Sequence, residues 1–135
     1  MFDTKIAIVL RDTLQPWQAL NVTAFLTTGI AGQHPQIIGE PYRDRAGHEY
    51  NAMSVQPVVV LVADAATLNT IHRRSLEQGV KSSLYVEEMF ATGHDVANRE
   101  VFAQFAPDDA KVVGIALRAE KKIVDKITKG AKLHP

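Results

Sequence analysis

The sequence predicts an α/β fold, a three-layer α/β/α domain that spans residues 1–135 and contains a mixed, mostly parallel sheet. Apolar runs of strand length, several of them rich in β-branched residues, recur along the chain, and segments with a helical pattern separate them. A chain of 135 residues is also long enough for one domain with a core of two or three packed layers. The predicted strands are residues 5–10, 57–63, 82–86 and 111–117.

The first strand and the helix after it form an unusually apolar unit. Residues 5–10 are apolar from Ile6 onward, which indicates a buried central strand. Pro16 supplies a fixed φ at a first helical position, and residues 17–30 place apolar side chains around most of the helical circumference. Residues 13–39 contain no Asp, Glu, Lys or Arg. Because a surface helix normally keeps one charged face, we expect this helix to be covered on both sides.

The segment after the first helix is predicted to be mostly turn. The pair His34-Pro35 ends the helix, since proline cannot continue it. Residues 36–39 are a candidate for a short strand. Residues 41–50 place charged residues around a turn with a tyrosine on each arm, a pattern typical of a hairpin or a solvated excursion. We expect its role to be structural.

The second strand–helix unit begins at the apolar run 57–63. Asp64 follows as a plausible N-cap, residues 65–78 have apolar side chains at helical spacing, and Gly79 supplies the stop. A further strand lies within residues 80–86. This order predicts a strand, a crossover helix and a parallel strand, and therefore a sheet covered on both faces.

The last third of the chain is predicted to alternate short helices, a turn and one strand. The expected elements are a helical turn at 87–91, a break at Gly93, a helix at 95–105, a turn at 107–109, the last strand at 111–117, and an amphipathic helix at 121–128 that Gly130 closes.

Composition narrows the classes of partner. Lys plus Arg and Asp plus Glu each total 15, so the net charge is zero and nucleic-acid binding is not expected. Cysteine is absent, which excludes disulfides and thiolate metal sites and fits a cytoplasmic location. The N-terminus lacks a basic region, so no signal peptide is indicated. Polar residues and proline interrupt the uncharged stretch 13–39, so no membrane span is expected either.

Candidate ligand-binding side chains lie where strands are predicted to end, because open α/β sheets place ligands at the carboxyl ends of their strands. The pair Arg11-Asp12 is either a surface ion pair or a ligand anchor, and His94 is either a general base or a solvated loop residue. Asn21 stands on an apolar helix, where its amide either caps a neighbouring loop or faces a cleft. The predicted site residues are Arg11, Asn21, Glu87, Thr92 and His94.

The sequence offers little support for a paired acid and base, a metal site, a phosphate loop or a nucleophile elbow. Glu87 and Glu88 are adjacent, and neighbours on a strand point to opposite faces, so they form a paired acid and base only if a turn brings them together. The alternative is a charge pair in the first turn of a helix. None of the five histidines has a helical partner four residues away, and no phosphate loop or nucleophile elbow is present. We therefore expect no metal and no cofactor.

The order of these elements resembles that of the second-class peptidyl-tRNA hydrolases. The resemblance covers most of the chain: the first strand and its apolar helix, residues 58–63 with the helix that contains Leu68, the strand that leads to Glu87, and residues 123–133. A closer resemblance is to the uncharacterised bacterial family known as domain of unknown function two thousand, which is similar in fold to those hydrolases. This second resemblance rests on residues 21–26, 38–42 and 133–135.

The departures from the hydrolases bear on function. Those enzymes carry lysines at the start of the first helix, whereas residues 16–21 contain none. They end the third strand in an Asp-Ala-Gly sequence, where this chain has Glu87 followed by Glu88. We therefore favour a non-hydrolytic module that binds a small molecule or a partner. The alternative is a hydrolase that acts on peptidyl-tRNA or a similar ester.

The first helix also predicts a homodimer. Its large apolar residues do not form one narrow stripe, so a single packing face cannot hide all of them. The alternative is that residues 87–105 fold over the helix within one chain. The residues concerned are Trp17, Val22, Phe25, Leu26 and Ile30.

Overall fold

The chain folds around a mixed sheet with helices on both faces. The computed structural model describes residues 2–135. The strands and α-helices are β1 (Thr4–Arg11), α1 (Pro16–Gln33), β2 (Tyr42–Arg43), β3 (Glu49–Tyr50), β4 (Val58–Ala63), α2 (Ala65–Glu77), β5 (Ser83–Val86), α3 (Asp95–Phe102), β6 (Val112–Glu120), α4 (Lys121–Ile127) and β7 (Lys132–Leu133). Short 3-10 helices span Pro35–Ile37, Glu87–Ala91 and Pro107–Asp109.

The main sheet has the strand order β5-β6-β1-β4-β7. Strands β1 and β4 are parallel, with Ile6 opposite Val58, whereas β6 runs antiparallel to both β1 and β5. Strand β7 is antiparallel to β4. The mixed sheet is therefore confirmed, but the prediction that it is mostly parallel is wrong for the strands described. Strand β5 does run in the direction of β4, as the crossover through α2 implies, but β6 and β1 lie between them.

Helices cover both faces of the central strands, as predicted for three layers. The register places Ile6, Ile8 and Leu10 on one face of β1 and Ala7 and Val9 on the other, and all five are buried. Helix α1 packs against β1, β5 and β6 on the first face, while α2 and α4 pack against β1 and β6 on the second. The alternation of side chains along a strand thus places one half of the core on each side of the sheet.

Helix α1 packs on the sheet with one side, and its opposite side stays largely exposed within one chain, so the expectation of a second covered side stays a prediction. Val22, Leu26 and Ile30 are buried at a spacing of four residues, while Trp17 is 60% exposed and Leu20 is 73% exposed. The hydroxyls of its threonines donate to carbonyl oxygens of the preceding turn, as is common in helices. None of the helices within residues 2–135 combines the length and the hydropathy needed to span a bilayer.

The outlying segments test the local predictions. The hairpin is confirmed, with Tyr42 opposite Tyr50. Residues 36–39 are not a strand, because Pro35 starts a 3-10 helix there and Ile38 makes only an isolated bridge. Helix α3 ends at Phe102 rather than residue 105, and β7 was not predicted.

Candidate functional site

Three of the predicted site residues line one groove between α1 and α3. Asn21 projects from α1, and Thr92 and His94 lie on the loop that joins the 3-10 helix Glu87–Ala91 to α3. The groove has a volume of about 300 Å³. Its remaining lining is partly aromatic and partly polar: Phe25, Tyr85, Met89, Gly93, Asp95 and Asn98. We call this space the α1–α3 groove.

Asn21 faces this groove, which was one of the two predicted alternatives. It is exposed rather than buried. Within residues 2–135 its side-chain amide has no hydrogen-bond partner. The amide therefore offers the groove both a donor and an acceptor.

His94 is the N-cap of α3. Its Nδ1 accepts a hydrogen bond from the backbone N–H of Ala97 at 3.2 Å. A neutral imidazole that accepts through Nδ1 carries its proton on Nε2. In this tautomer the second ring nitrogen is a hydrogen-bond donor, so the cap leaves no free basic nitrogen for His94 to act as a general base.

Thr92 ties the loop to α3. Its hydroxyl contacts the carbonyl oxygen of Met89 at 2.8 Å and also the side-chain oxygen of Asn98. Asn98 was missed from the sequence, because it lies in a helix rich in charged residues that predicts a solvated surface. The available indication was its position four residues after the capping His94, which places it on the same side of α3.

A row of aromatic side chains joins α1 to the loop. Trp17 meets Phe90 edge-on with ring centroids 5.9 Å apart, Phe90 lies 5.0 Å from Tyr85, and Tyr85 meets Phe25 edge-on at 5.8 Å. Edge-on and tilted contacts of this kind are favourable beyond the area they bury. Burial raises the pKa of Tyr85, so its hydroxyl stays protonated and neutral at the base of the groove.

Arg11 and Glu87, the other two predicted site residues, pair with each other instead of lining the groove. The Nη2 of Arg11 lies 3.5 Å from the Oε1 of Glu87, and the Glu87 side chain is 47% exposed. Arg11 lines a different cavity of about 400 Å³, together with Asp12, Leu20 and Val62 among others. Arg11 thus forms its ion pair with Glu87 rather than with the adjacent Asp12, and the role of a ligand anchor stays a prediction.

Glu87 and Glu88 lie in the first turn of the 3-10 helix Glu87–Ala91, which is the alternative of a charge pair in a first helical turn. Both carboxylate oxygens of Glu88 are buried, and among the described residues they have no hydrogen-bond partner. The Nε of Arg11 is likewise buried and unpaired. Burying a polar group without a hydrogen bond is unfavourable. The two glutamates therefore differ in environment and do not act as a matched acid and base.

The α1–α3 groove is suited to a neutral molecule. Asp95 and Arg99 at its rim neutralise each other through a salt bridge of 2.7 Å. Apart from the Asp95 carboxylate, the polar groups toward the groove are amides, hydroxyls and an imidazole, while the base is aromatic. Within residues 2–135 no cluster of three or more His, Asp or Glu side chains is placed to hold a metal ion.

Comparison with known proteins gives a family without an assigned activity. A family model described as "Protein of unknown function (DUF2000)" matches residues 4–135. The solved structure of Atu0240, a protein of unknown function from Agrobacterium tumefaciens str. C58, is 67% identical in sequence to this chain. That match covers 100% of both chains with a TM-score of 0.99. No curated protein matches the chain.

Proposed function

We propose that this chain, which belongs to the DUF2000 family, is a non-hydrolytic module that binds a small neutral molecule in the α1–α3 groove. The observation that carries the proposal is the gathering of Asn21, Thr92 and His94 around an aromatic base. Ligand sites are typically concave and apolar, with a few placed polar groups. The chemistry that fits is a planar amide-like group attached to an apolar side chain.

The charge around the groove supports a neutral ligand over a nucleic acid. Binding to a phosphate backbone relies on cations placed against phosphates. Among the described residues that line the α1–α3 groove there is no lysine or arginine, and the neighbouring Arg99 is paired with Asp95. The start of α1 contains no lysine. We infer that the likeness to second-class peptidyl-tRNA hydrolases is one of fold, and the absence of cysteine supports a place in the reducing cytoplasm.

The test is binding of N-acetylphenylalanine amide, a neutral probe with both features. Saturation-transfer NMR should detect its aromatic ring in contact with the protein. The substitution Asn21→Leu should weaken binding by about threefold to tenfold, the range that one lost neutral hydrogen bond gives. Asn21 is chosen because its amide makes no hydrogen bond in the described structure, so its replacement should leave the fold intact.

The matched control is Asn69→Leu, an exposed asparagine on α2. It should bind the probe as the unaltered protein does. Equal binding by the Asn21 and Asn69 variants would place the probe outside the groove. Absence of binding at millimolar probe would contradict the proposed ligand chemistry.

The alternative function, hydrolysis of peptidyl-tRNA or a similar ester, has its own assay. N-acetylphenylalanyl-tRNA should remain intact when incubated with the purified protein. Turnover that Glu87→Gln abolishes would overturn the non-hydrolytic proposal and assign Glu87 a catalytic part. Turnover unaffected by that substitution would instead point to a contaminating enzyme.

We also propose that the protein is a homodimer. Helix α1 packs over β1, β5 and β6, so the same face of β4 is left without a helix. The valines of β4 and Leu20 of α1 form a continuous apolar surface, which we call the α1–β4 face: Leu20, Val58, Val60 and Val62. Symmetric pairing of two copies is the commonest way to bury such a surface.

A further inference from the structure

A second cavity lies across the sheet from the α1–α3 groove. It has a volume of about 340 Å³ and opens between α2, β5 and the segment that follows α3. Because Tyr85 faces the groove, the alternating neighbours Leu84 and Val86 point to the opposite face and line this second space. We call it the α2 cavity. It shares no lining residue with the α1–α3 groove, so it does not depend on the function proposed for that groove.

The α2 cavity is lined by a mostly buried histidine whose imidazole makes no hydrogen bond to the described residues. His72 is 7% exposed and lines the cavity. Within residues 2–135 its ring nitrogens make no hydrogen bond, although the backbone carbonyl oxygen of His72 accepts one from Ser75. Buried polar side chains in folded proteins nearly always have a partner. A mostly buried ring that lines a cavity therefore offers its nitrogens to a hydrogen-bonding group of a molecule bound there.

The surroundings of His72 define which group fits. Burial lowers the pKa of His72, and the nearby Asp108 carboxylate opposes this only in part. The ring is thus neutral at pH 7, with one donor and one acceptor nitrogen. An anion beside a neutral ring would gain no charge pairing there and would be repelled by Asp108. Two cations lie nearby. Lys81 lines the cavity, and Arg73 lies 4.0 Å from the Asp108 carboxylate. Both side chains are exposed to solvent.

Apart from Ser82, the rest of the lining is apolar and partly aromatic. Val86 and Ala110 are buried at the base, and Phe102 and Phe105 stand at the side. Phe102 is 42% exposed, so one ring edge is open to contact with a bound molecule. Aromatic rings pack favourably on one another in edge-on and offset arrangements.

We propose that the α2 cavity is a binding site for a small aromatic molecule that carries one neutral hydrogen-bonding group, such as a phenol, with His72 as its polar contact. The ring lies against Phe102 and Phe105, and the hydroxyl meets the unpartnered imidazole. Three probes separate the parts of this proposal: phenol has the ring and the neutral group, toluene has the ring alone, and benzoate has a charged group.

The experiment is an NMR titration of the full-length protein with each probe, followed through the imidazole resonances. Phenol should shift the His72 ring signals and leave those of the exposed His48 unchanged. Phenol should also bind about threefold to tenfold more tightly than toluene, the range that one neutral hydrogen bond gives. Failure of phenol to move the His72 signals at millimolar concentration would overturn the proposal. Tighter binding of benzoate than of phenol would overturn the assignment of a neutral group.

Two variants locate the site. His72→Leu should lower the affinity for phenol to that for toluene, and Ala110→Leu should weaken both by filling the base of the cavity. The matched control His48→Leu should change neither affinity. Unaltered phenol binding in a folded Ala110→Leu protein would show that the probe sits elsewhere and would refute the proposal. If a variant fails to fold, the phenol titration of the unaltered protein still tests the proposal, because it shows whether the His72 ring signals shift.

Discussion

His34 belongs to a polar network that joins the end of α1 to the sheet. Arg118 donates from Nε to the Oε1 of Gln56 at 3.1 Å, and its Nη1 lies 3.3 Å from the Nδ1 of His34. The Nε2 of the buried Gln56 donates to the backbone carbonyl oxygen of Thr4 at 3.1 Å. Burial lowers the pKa of His34, and the Arg118 guanidinium lowers it further. The network therefore requires His34 to stay neutral.

We expect this histidine to make stability depend on pH. As the pH falls through the ordinary histidine pKa of 6.5, the unfolded chain binds a proton that the folded protein resists. The free energy of unfolding should therefore fall below that pH and level off once the folded protein also binds the proton. Urea unfolding between about pH 7.5 and about pH 5.5 measures the slope.

The variant His34→Gln keeps a hydrogen-bond acceptor for Arg118 but does not titrate. It should show a smaller loss of stability across the same pH range. The control His134→Gln removes an exposed histidine and should keep the slope of the unaltered protein. An unchanged slope in the His34 variant would show that the network is insensitive to its protonation. His72, whose pKa burial also lowers, should then account for the slope.

Single residues also show how far the sequence predicts the site. Asn21, Thr92 and His94 could be predicted because an amide on an apolar helix and polar residues after a strand are local patterns. The pairing of Arg11 with Glu87 could not, since it depends on which strands become neighbours. His72 lies in a charged stretch of α2, and the burial of its ring results from packing of the 105–110 segment, which the sequence pattern does not encode.

At the scale of elements, the contact of α1 with the sheet depends on Gly114. A Cβ atom built on Gly114 would lie 2.6 Å from a methyl of Val22 and 3.2 Å from a methyl of Leu26. It would also lie 3.3 Å from a methyl of Leu10 on the neighbouring strand. All three residues are buried in the core. Glycine in β6 thus sets how closely α1 approaches the sheet.

The substitution Gly114→Ala should destabilise the protein by about 1–3 kcal/mol, because overpacking forces a well-packed core to shift. The matched control is Gly32→Ala near the end of α1, where an added Cβ meets nothing within 4 Å. That change should stabilise the protein by about 0.5–1 kcal/mol through helix propensity. Denaturant midpoints compare the two. A Gly114→Ala protein as stable as the original would show that α1 can move outward without loss of packing.

The elements themselves were predicted unevenly, for a physical reason. The four long strands and helices α1, α2 and α4 follow from periodicity and caps within each segment; the Asp64 side chain, for example, accepts from the N–H of Thr67 at 2.8 Å. Strand β7 has two residues, too few to show a pattern. Local sequence patterns also do not predict strand direction. The long segment between β5 and β6 allows β6 to run parallel or antiparallel to its neighbours.

At the scale of the whole molecule, the α1–β4 face predicts association. Light scattering at micromolar concentration should give about twice the 14.8 kDa of one chain. The substitution Leu20→Glu places a charge in this face and should yield a monomer that remains folded. The control Leu76→Glu changes a residue of α2 that is 53% exposed on the other side of the sheet, and should leave the dimer intact.

A mass near that of one chain for the unaltered protein would refute the dimer. A folded Leu20→Glu protein that still dimerises would move the interface away from the α1–β4 face. The alternative, in which residues 87–105 fold over α1 within one chain, is met in part because Phe90 packs edge-on against Trp17. Leu20 is the most exposed large apolar residue of α1 described in the structure, so its substitution tests whether the exposed part of α1 forms the interface.

The position of β6 also determines when the sheet can form. Strand β6 lies between β1 and β5, with Glu120 opposite Thr4, so the two partners come from nearly opposite ends of the chain. Until β6 has been synthesised, β5 has no neighbour and the apolar faces of β1 lack one side of their packing. Pairings of such long sequence separation form slowly, because the loop must close before the contacts stabilise it. A ribosome-bound chain that stops before residue 112 should therefore hold helices without a continuous sheet, and the sheet should form once β6 has left the ribosome.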